Sequence, residues 1–271
     1  MSLAETPVRY PYGQDSEQFA DLYLPNGPGP HPVLVVVHGG GFLANRTLAG
    51  IAPACAALAE HGLAVWNVEY RRVGNEGGGW PGTWHDLASA ADKLRDLEKE
   101  HELDLSRVVT LGHSAGTSLA FWMAARHKVR PSSGLYRDDP LPIAGAISCA
   151  GGLDQRAAYA YSHEGGIWKI LFGGSPDEVP DRYAATSPRD MLPLGIPQLL
   201  IHGEADQVIH ISWSKSYYNI AAAAGDRVRL VVIDNADHIG IRDPSSEFWP
   251  PARDAILEFC STVAWPAPSS R

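Results

Sequence analysis

Val108-Val109-Thr110-Leu111 runs straight into Gly112-His113-Ser114-Ala115-Gly116, and this junction restricts the fold more than any other stretch of the chain. Four apolar or β-branched residues in a row read as a buried strand. The stretch behind them, with Leu119, Met123 and Ala124 on one face, reads as a helix. A serine with a glycine two places before and two places after it, set between strand and helix, is the G-x-S-x-G pattern of a sharp turn. The two backbones nearly touch in such a turn, so side chains at the outer positions would clash. The turn lifts the Ser114 hydroxyl clear of the sheet.

The rest of the chain repeats the alternation. Apolar strand-like runs occupy residues 19–24, 33–37, 64–68, 108–111, 143–150, 198–201 and 228–233. Helical patterns lie between and after them, at 51–60, 84–101, 214–224 and 252–263. The second of these puts Leu87, Ala90, Ala91, Leu94 and Leu97 on one stripe, with charges opposite. Runs that are apolar throughout, such as Val33 to Val37, fit strands covered on both faces. The pattern predicts an α/β fold with a mostly parallel central sheet and helices on both faces. No repeat or composition break divides residues 1–271, which read as one domain. Residues 151–194 interrupt the alternation with Tyr159, Tyr161, Trp168, Phe172 and Tyr183 among polar, Pro and Gly residues. We read them as an insertion of short helices that caps a pocket.

A serine hydroxyl is a weak nucleophile near neutral pH and needs a base, with a third group to orient it. In elbow-containing folds the acid and then the histidine follow the serine in the chain. Asp206 follows the strand ending at Ile201, and His238 follows the strand ending at Ile233. Both stand at strand C-termini, where ligand-side groups of open α/β sheets collect. The expected catalytic set is Ser114 as nucleophile, His238 as general base and acid, and Asp206 as orienting carboxylate. Glu204 competes as the acid from two residues away. Asp237 adjoins His238, but neighbouring side chains diverge on a turn. His38, His113 and His202 lie near the site without an evident role as base, and Ser118 is expected to bond a helix carbonyl.

Attack on a carbonyl creates a negative oxygen that needs fixed donors. His38-Gly39-Gly40-Gly41-Phe42 follows the strand at 33–37. Its glycines let several N–H groups converge without side-chain obstruction. Gly40, Gly41 and Ala115 are the expected oxyanion-hole donors. A phosphate loop fits poorly, since neither Lys-Ser/Thr nor a G-x-G-x-x-G frame is present. Phe42, Tyr70, Trp80, Tyr161 and Trp168 are candidate substrate-binding residues. For the stretch 69–84 an alternative stands beside the aromatic wall: core packing with an Arg–carboxylate bond that fixes the loop.

The formal charge is −9, and the basic residues are scattered apart from Arg71-Arg72, which argues against nucleic acid or an anionic membrane as partner. No apolar run reaches membrane-spanning length. Residues 1–5 lack the features of a signal peptide. Cys55, Cys149 and Cys260 show no metal-ligand spacing and read as buried thiols of a cytoplasmic protein.

The glycine loop, the elbow, Asp206 and His238, in this order and on these strand ends, resemble the serine-hydrolase branch of the α/β-hydrolase superfamily. Within it the chain is similar to bacterial esterases with an HGGG motif and to kynurenine formamidase-like and feruloyl-esterase-like hydrolases. Asp21-Leu22-Tyr23-Leu24-Pro25 and Glu69-Tyr70-Arg71 strengthen that likeness. The resemblance implies hydrolysis of a small-molecule ester through an acyl-enzyme, with no metal or organic cofactor. Cleavage of an aryl formamide is the alternative on the same triad. A peptidase is disfavoured because no gating domain precedes the catalytic unit. A non-catalytic binding module of this fold usually lacks a triad member.

Overall fold

A computed structural model describes residues 6–264. The elements in chain order are β1 (Val8–Pro11), β2 (Phe19–Tyr23), β3 (His31–Val37), α1 (Ala52–Ala59), β4 (Ala64–Val68), α2 (Gly82–Asp92), α3 (Leu94–Leu97), β5 (Leu103–His113), α4 (Gly116–Ala125), β6 (Gly145–Cys149), α5 (Gln155–Tyr161), α6 (Gly166–Phe172), α7 (Pro180–Ala184), β7 (Gln198–Gly203), α8 (Ser212–Ala223), β8 (Val228–Ile233) and α9 (Trp249–Thr262). The strands form one eight-stranded sheet of order β1-β2-β4-β3-β5-β6-β7-β8. β1 and β2 pair antiparallel at one edge, and all pairings from β4 to β8 are parallel.

Strand alternation sorts β3 between two cores. Val33, Val35 and Val37 join Ala64, Trp66 and Val68 under α2, α4 and α8. Leu34 and Val36 join Val65, Val109 and Leu111 under α1 and α9. Each face is therefore closed by helices, as the apolar runs require.

Four features differ from the sequence reading. The helix expected over 84–101 begins at Gly82 and divides into α2 and α3, with turns leading into β5. β5 begins at Leu103 rather than Val108, pairs with His31 and Pro32, and slips register before Val33. Ser106 bonds Asp104 within that slip, which breaks the apolar alternation. α4 is not amphipathic: all its residues from Gly116 to Ala125 are buried, as suits a helix running under the centre of the sheet. β1, short and largely exposed at the edge, carries no hydrophobic pattern to find.

Residues 151–194 lie between β6 and β7 and fold into α5, α6 and α7 with short connecting turns. Leu171 O accepts from Trp80 N at 2.8 Å, and Ala185 O accepts from Trp122 Nε1 at 3.2 Å, which bind this segment to the Trp80 loop and to α4. Among the described residues no helix is long and apolar enough to cross a membrane.

Candidate active site

The site forms where β3, β5, β7 and β8 end. Between β5 and α4 the chain turns so tightly that Ser114 sits at φ +54°, a conformation costing about 1–3 kcal/mol for a non-glycine residue. The flanking glycines explain how the turn closes. A Cβ on Gly112 would lie 2.4 Å from Gly116 O, and one on Gly116 would lie 2.2 Å from Val37 O. Ser114 N donates to Cys149 O at 2.9 Å, and Thr117 Oγ1 donates to Gly112 O at 2.8 Å. The elbow is thus fastened on both sides.

Asp206, 1% exposed, leaves the end of β7. Its Oδ1 accepts from Val208 N and Ile209 N at 2.8 and 2.9 Å, and its Oδ2 accepts from His238 Nδ1 at 2.7 Å. Since a carboxylate only accepts, His238 carries its proton on Nδ1, and in the neutral ring Nε2 is an acceptor. Among the described residues neither His238 Nε2 nor the Ser114 hydroxyl has a hydrogen-bond partner. The loops carrying Asp206 and His238 touch at Gly203, where a Cβ would come within 2.3 Å of Ala236 O. The competing acids are accounted for. Asp237 Oδ1 accepts from Ile239 N and Gly240 N and so caps its own turn, while Glu204 is exposed.

After β3 the backbone takes three successive positive φ values: +111° at Gly40, +64° at Gly41 and +61° at Phe42. Gly39 lies against the elbow, since a Cβ there would fall 2.8 Å from Ser114 Cβ. The N–H groups of Gly40, Gly41 and Ala115 donate to no group among the described residues. Three unpaired backbone donors beside an accessible hydroxyl can bind a negative oxygen.

A buried polar network holds this loop from behind. Glu69 bonds His38 Nε2 and Arg72 Nη1, each at 2.8 Å, and accepts from Leu48 N at 3.0 Å. Burial alone would raise the Glu69 carboxyl; His38, the Leu48 N–H and the Arg72 charge outweigh it and hold the group below the ordinary carboxylate value. Arg72 reaches on to Glu17 and the Arg46 carbonyl. Arg71 grips Asp86 with two bonds of 2.9 and 2.7 Å.

The candidate pocket residues divide. Phe42 and Trp168 meet edge to face at 5.1 Å, so α6 reaches the residue directly after the loop glycines. Trp80 packs on Trp84 at 5.5 Å and stays partly exposed. Tyr161 is 84% exposed and touches Trp213 edge-on at 6.0 Å. Tyr70 is the correction. It is fully buried, stacks on His38 at 4.6 Å and donates to His38 O at 2.9 Å, so it supports the glycine loop and lines no pocket. The Arg–carboxylate alternative for this stretch describes Arg71 and Arg72 correctly.

Sequence reasoning left three histidines without roles. His38 anchors Glu69. His202 accepts from the Ser214 hydroxyl at Nδ1, 2.7 Å away, and donates to Ile209 O at 2.8 Å, fixing the Asp206 loop; burial lowers its pKa. His113 bonds the His238 carbonyl at 3.0 Å. Each stands beside a motif glycine or serine at a strand end, which is the one signal the sequence offered. Among the described residues no group of three or more His, Cys, Asp or Glu is set to hold a metal ion.

Sheet order, elbow and the three loop ends define an α/β-hydrolase fold. The chain belongs to the BD-FAE family, which matches residues 20–220. Among curated proteins it is similar to a probable isoprenylcysteine alpha-carbonyl methylesterase of Oryza sativa subsp. japonica, 25% identical over 249 residues, covering 86% of this chain and 58% of that protein. The Arabidopsis thaliana isoprenylcysteine alpha-carbonyl methylesterase is 25% identical over 257 residues, covering 86% and 57%. The chain thus spans less than two thirds of these relatives' length. Among solved structures, an esterase of Thermogutta terrifontis superposes with a TM-score of 0.77 at 20% identity, covering 99% of this chain and 96% of that one. A truncated carbohydrate esterase from gut microbiota gives a TM-score of 0.77 at 20% identity, covering 97% and 99%.

Proposed function

We propose that this protein hydrolyses small carboxylic esters through an acyl-enzyme on Ser114. The observation that carries the proposal is the 2.7 Å bond from His238 Nδ1 to Asp206, which leaves Nε2 as a free acceptor near the elbow that presents Ser114. His238 Nε2 takes the Ser114 proton as Oγ attacks the ester carbonyl. The N–H groups of Gly40, Gly41 and Ala115 receive the oxyanion; each such donor is typically worth about 10²–10³ in turnover. The imidazolium then protonates the departing alcohol, and His238 activates water to release the acid.

Esterase names among the relatives support the ester reading over the formamide one, which gains no support from them. Two are named as methylesterases, so a methyl ester belongs among the first substrates tried. Residues 151–194 act in this reading as a cap whose partly exposed Trp168, packed on the buried Phe42, borders the substrate. The three free, buried cysteines fit a reducing, cytoplasmic setting. Hydrolysis of p-nitrophenyl acetate by wild-type protein, and its loss in folded Ser114→Ala, tests the proposal. Undiminished hydrolysis by that variant overturns it.

A further inference from the structure

We propose that His113 is a positioning residue that holds the His238 imidazole in register with Ser114, an inference that rests on the reading of these two as base and nucleophile. His113 is the chain neighbour of Ser114, yet its Nε2 lies 3.0 Å from the carbonyl oxygen of His238, 125 residues away in sequence. A carbonyl accepts only, so His113 carries its proton on Nε2. The two rings stand 4.8 Å apart at 49°, which adds a packing contact to the bond. Both residues are buried, at 4% and 6% exposure.

The other edge of the ring faces the glycine loop: a Cβ on Gly39 would lie 3.2 Å from His113 Nδ1. One imidazole therefore adjoins the nucleophile, holds the main chain of the base and backs the oxyanion loop. The loop bearing His238 is otherwise tied to its own turn through Asp237 and to the Asp206 loop, through His238 Nδ1 and through Ala205 N donating to Ala236 O at 2.9 Å. Among the described residues the His113 bond is the hydrogen bond that joins this loop to the elbow. Burial, with Arg242 nearby, lowers the His113 pKa to about 3, so the ring stays neutral and its donor pattern is constant over working pH. The side chain donates to main chain and needs no contact with substrate, so it acts through His238.

The test uses two variants of the full chain. His113→Phe keeps a ring and removes the donor; His113→Gln keeps an N–H donor at a similar reach. Displacement of a reacting group by about 1 Å can cost roughly 10²-fold. His113→Phe is expected to lower kcat for p-nitrophenyl acetate by about 10- to 100-fold with KM little changed. His113→Gln is expected to recover most of the loss. The downfield proton resonance of the His238–Asp206 bond should broaden or shift in His113→Phe and return in His113→Gln. Wild-type kcat and an unmoved resonance in folded His113→Phe overturn the proposal, as does a His113→Gln variant no better than His113→Phe. Failure of the hydrolase reading looks different: wild-type protein is then inert, while the resonance still reports whether His113 positions His238.

Discussion

Asp206→Asn separates the orienting role of the carboxylate from its place in the fold. In the wild-type protein Oδ1 takes two amide protons, from Val208 and Ile209, and Oδ2 takes the His238 Nδ1 proton at 2.7 Å. An asparagine has one acceptor oxygen. The two amides are both donors and claim it, which turns the NH₂ toward His238 Nδ1. Two donors cannot face each other, so the imidazole proton moves to Nε2, and the ring can no longer accept from Ser114. The wrong tautomer costs about 10⁴ in kcat in serine triads, or about 5 kcal/mol of transition-state stabilisation. Stability should change far less, because the two amide bonds persist and only one charge-assisted bond, worth about 1.5–3 kcal/mol, is weakened. The assay is steady-state hydrolysis of p-nitrophenyl acetate alongside a thermal melt, with exposed Glu204→Gln as the control expected to retain full activity. A cooperatively folded Asp206→Asn enzyme that kept more than about a tenth of wild-type kcat would refute the tautomer argument.

Two further outcomes follow from the geometry. Gly40→Ala should lose about 10²-fold in kcat and roughly 1–3 kcal/mol of stability in a denaturant melt, because Gly40 holds φ +111° and a Cβ there would meet Arg46 Cβ at 2.2 Å; an alanine enzyme of wild-type rate contradicts the oxyanion assignment. The protein should also lose stability in mild acid through His113. Burial, then Arg242, depresses its folded pKa to about 3, with His238 and His202 adding repulsion, so below an unfolded value of about 6.5 the unfolded chain binds a proton that the folded one refuses. That contribution is complete above pH ~6.5 and falls by up to about 1.4 kcal/mol per pH unit until the folded pKa is reached. Urea melts between pH 7 and pH 4 should show a shallower decline in His113→Gln than in wild type, and equal slopes contradict the assignment.

What the sequence disclosed and what it hid follow physical lines. Strands β3 and β4 stand where the apolar runs put them, because a strand buried on both faces writes itself as an unbroken apolar run, and the half-buried edge strand β8 also follows its run despite Arg229. The elbow, the glycine loop and the Asp206–His238 pair were legible because their backbone conformations demand particular residues at fixed offsets. β1 was illegible, being an exposed edge, and so was the length of β5, whose start from Leu103 to Arg107 is only partly buried and slips register against β3 before the apolar run at Val108. Tyr70 was misread as pocket lining because an aromatic residue after a strand looks the same in sequence whether it faces a ligand or stacks on a buried histidine. The partners of His38, His113 and His202 lie across the fold or on a neighbouring loop, and single-sequence patterns hold no record of which carbonyl or carboxylate a buried imidazole will meet.

The central claim is that Ser114 is a nucleophile activated in place, and covalent trapping tests it most directly. Wild-type protein treated with a fluorophosphonate and mapped by peptide mass spectrometry should carry one stoichiometric adduct on Ser114, and the Ser114→Ala, Asp206→Asn and heat-unfolded proteins should carry little or none. Folded wild-type protein that takes no adduct, or takes it on another residue, contradicts the account.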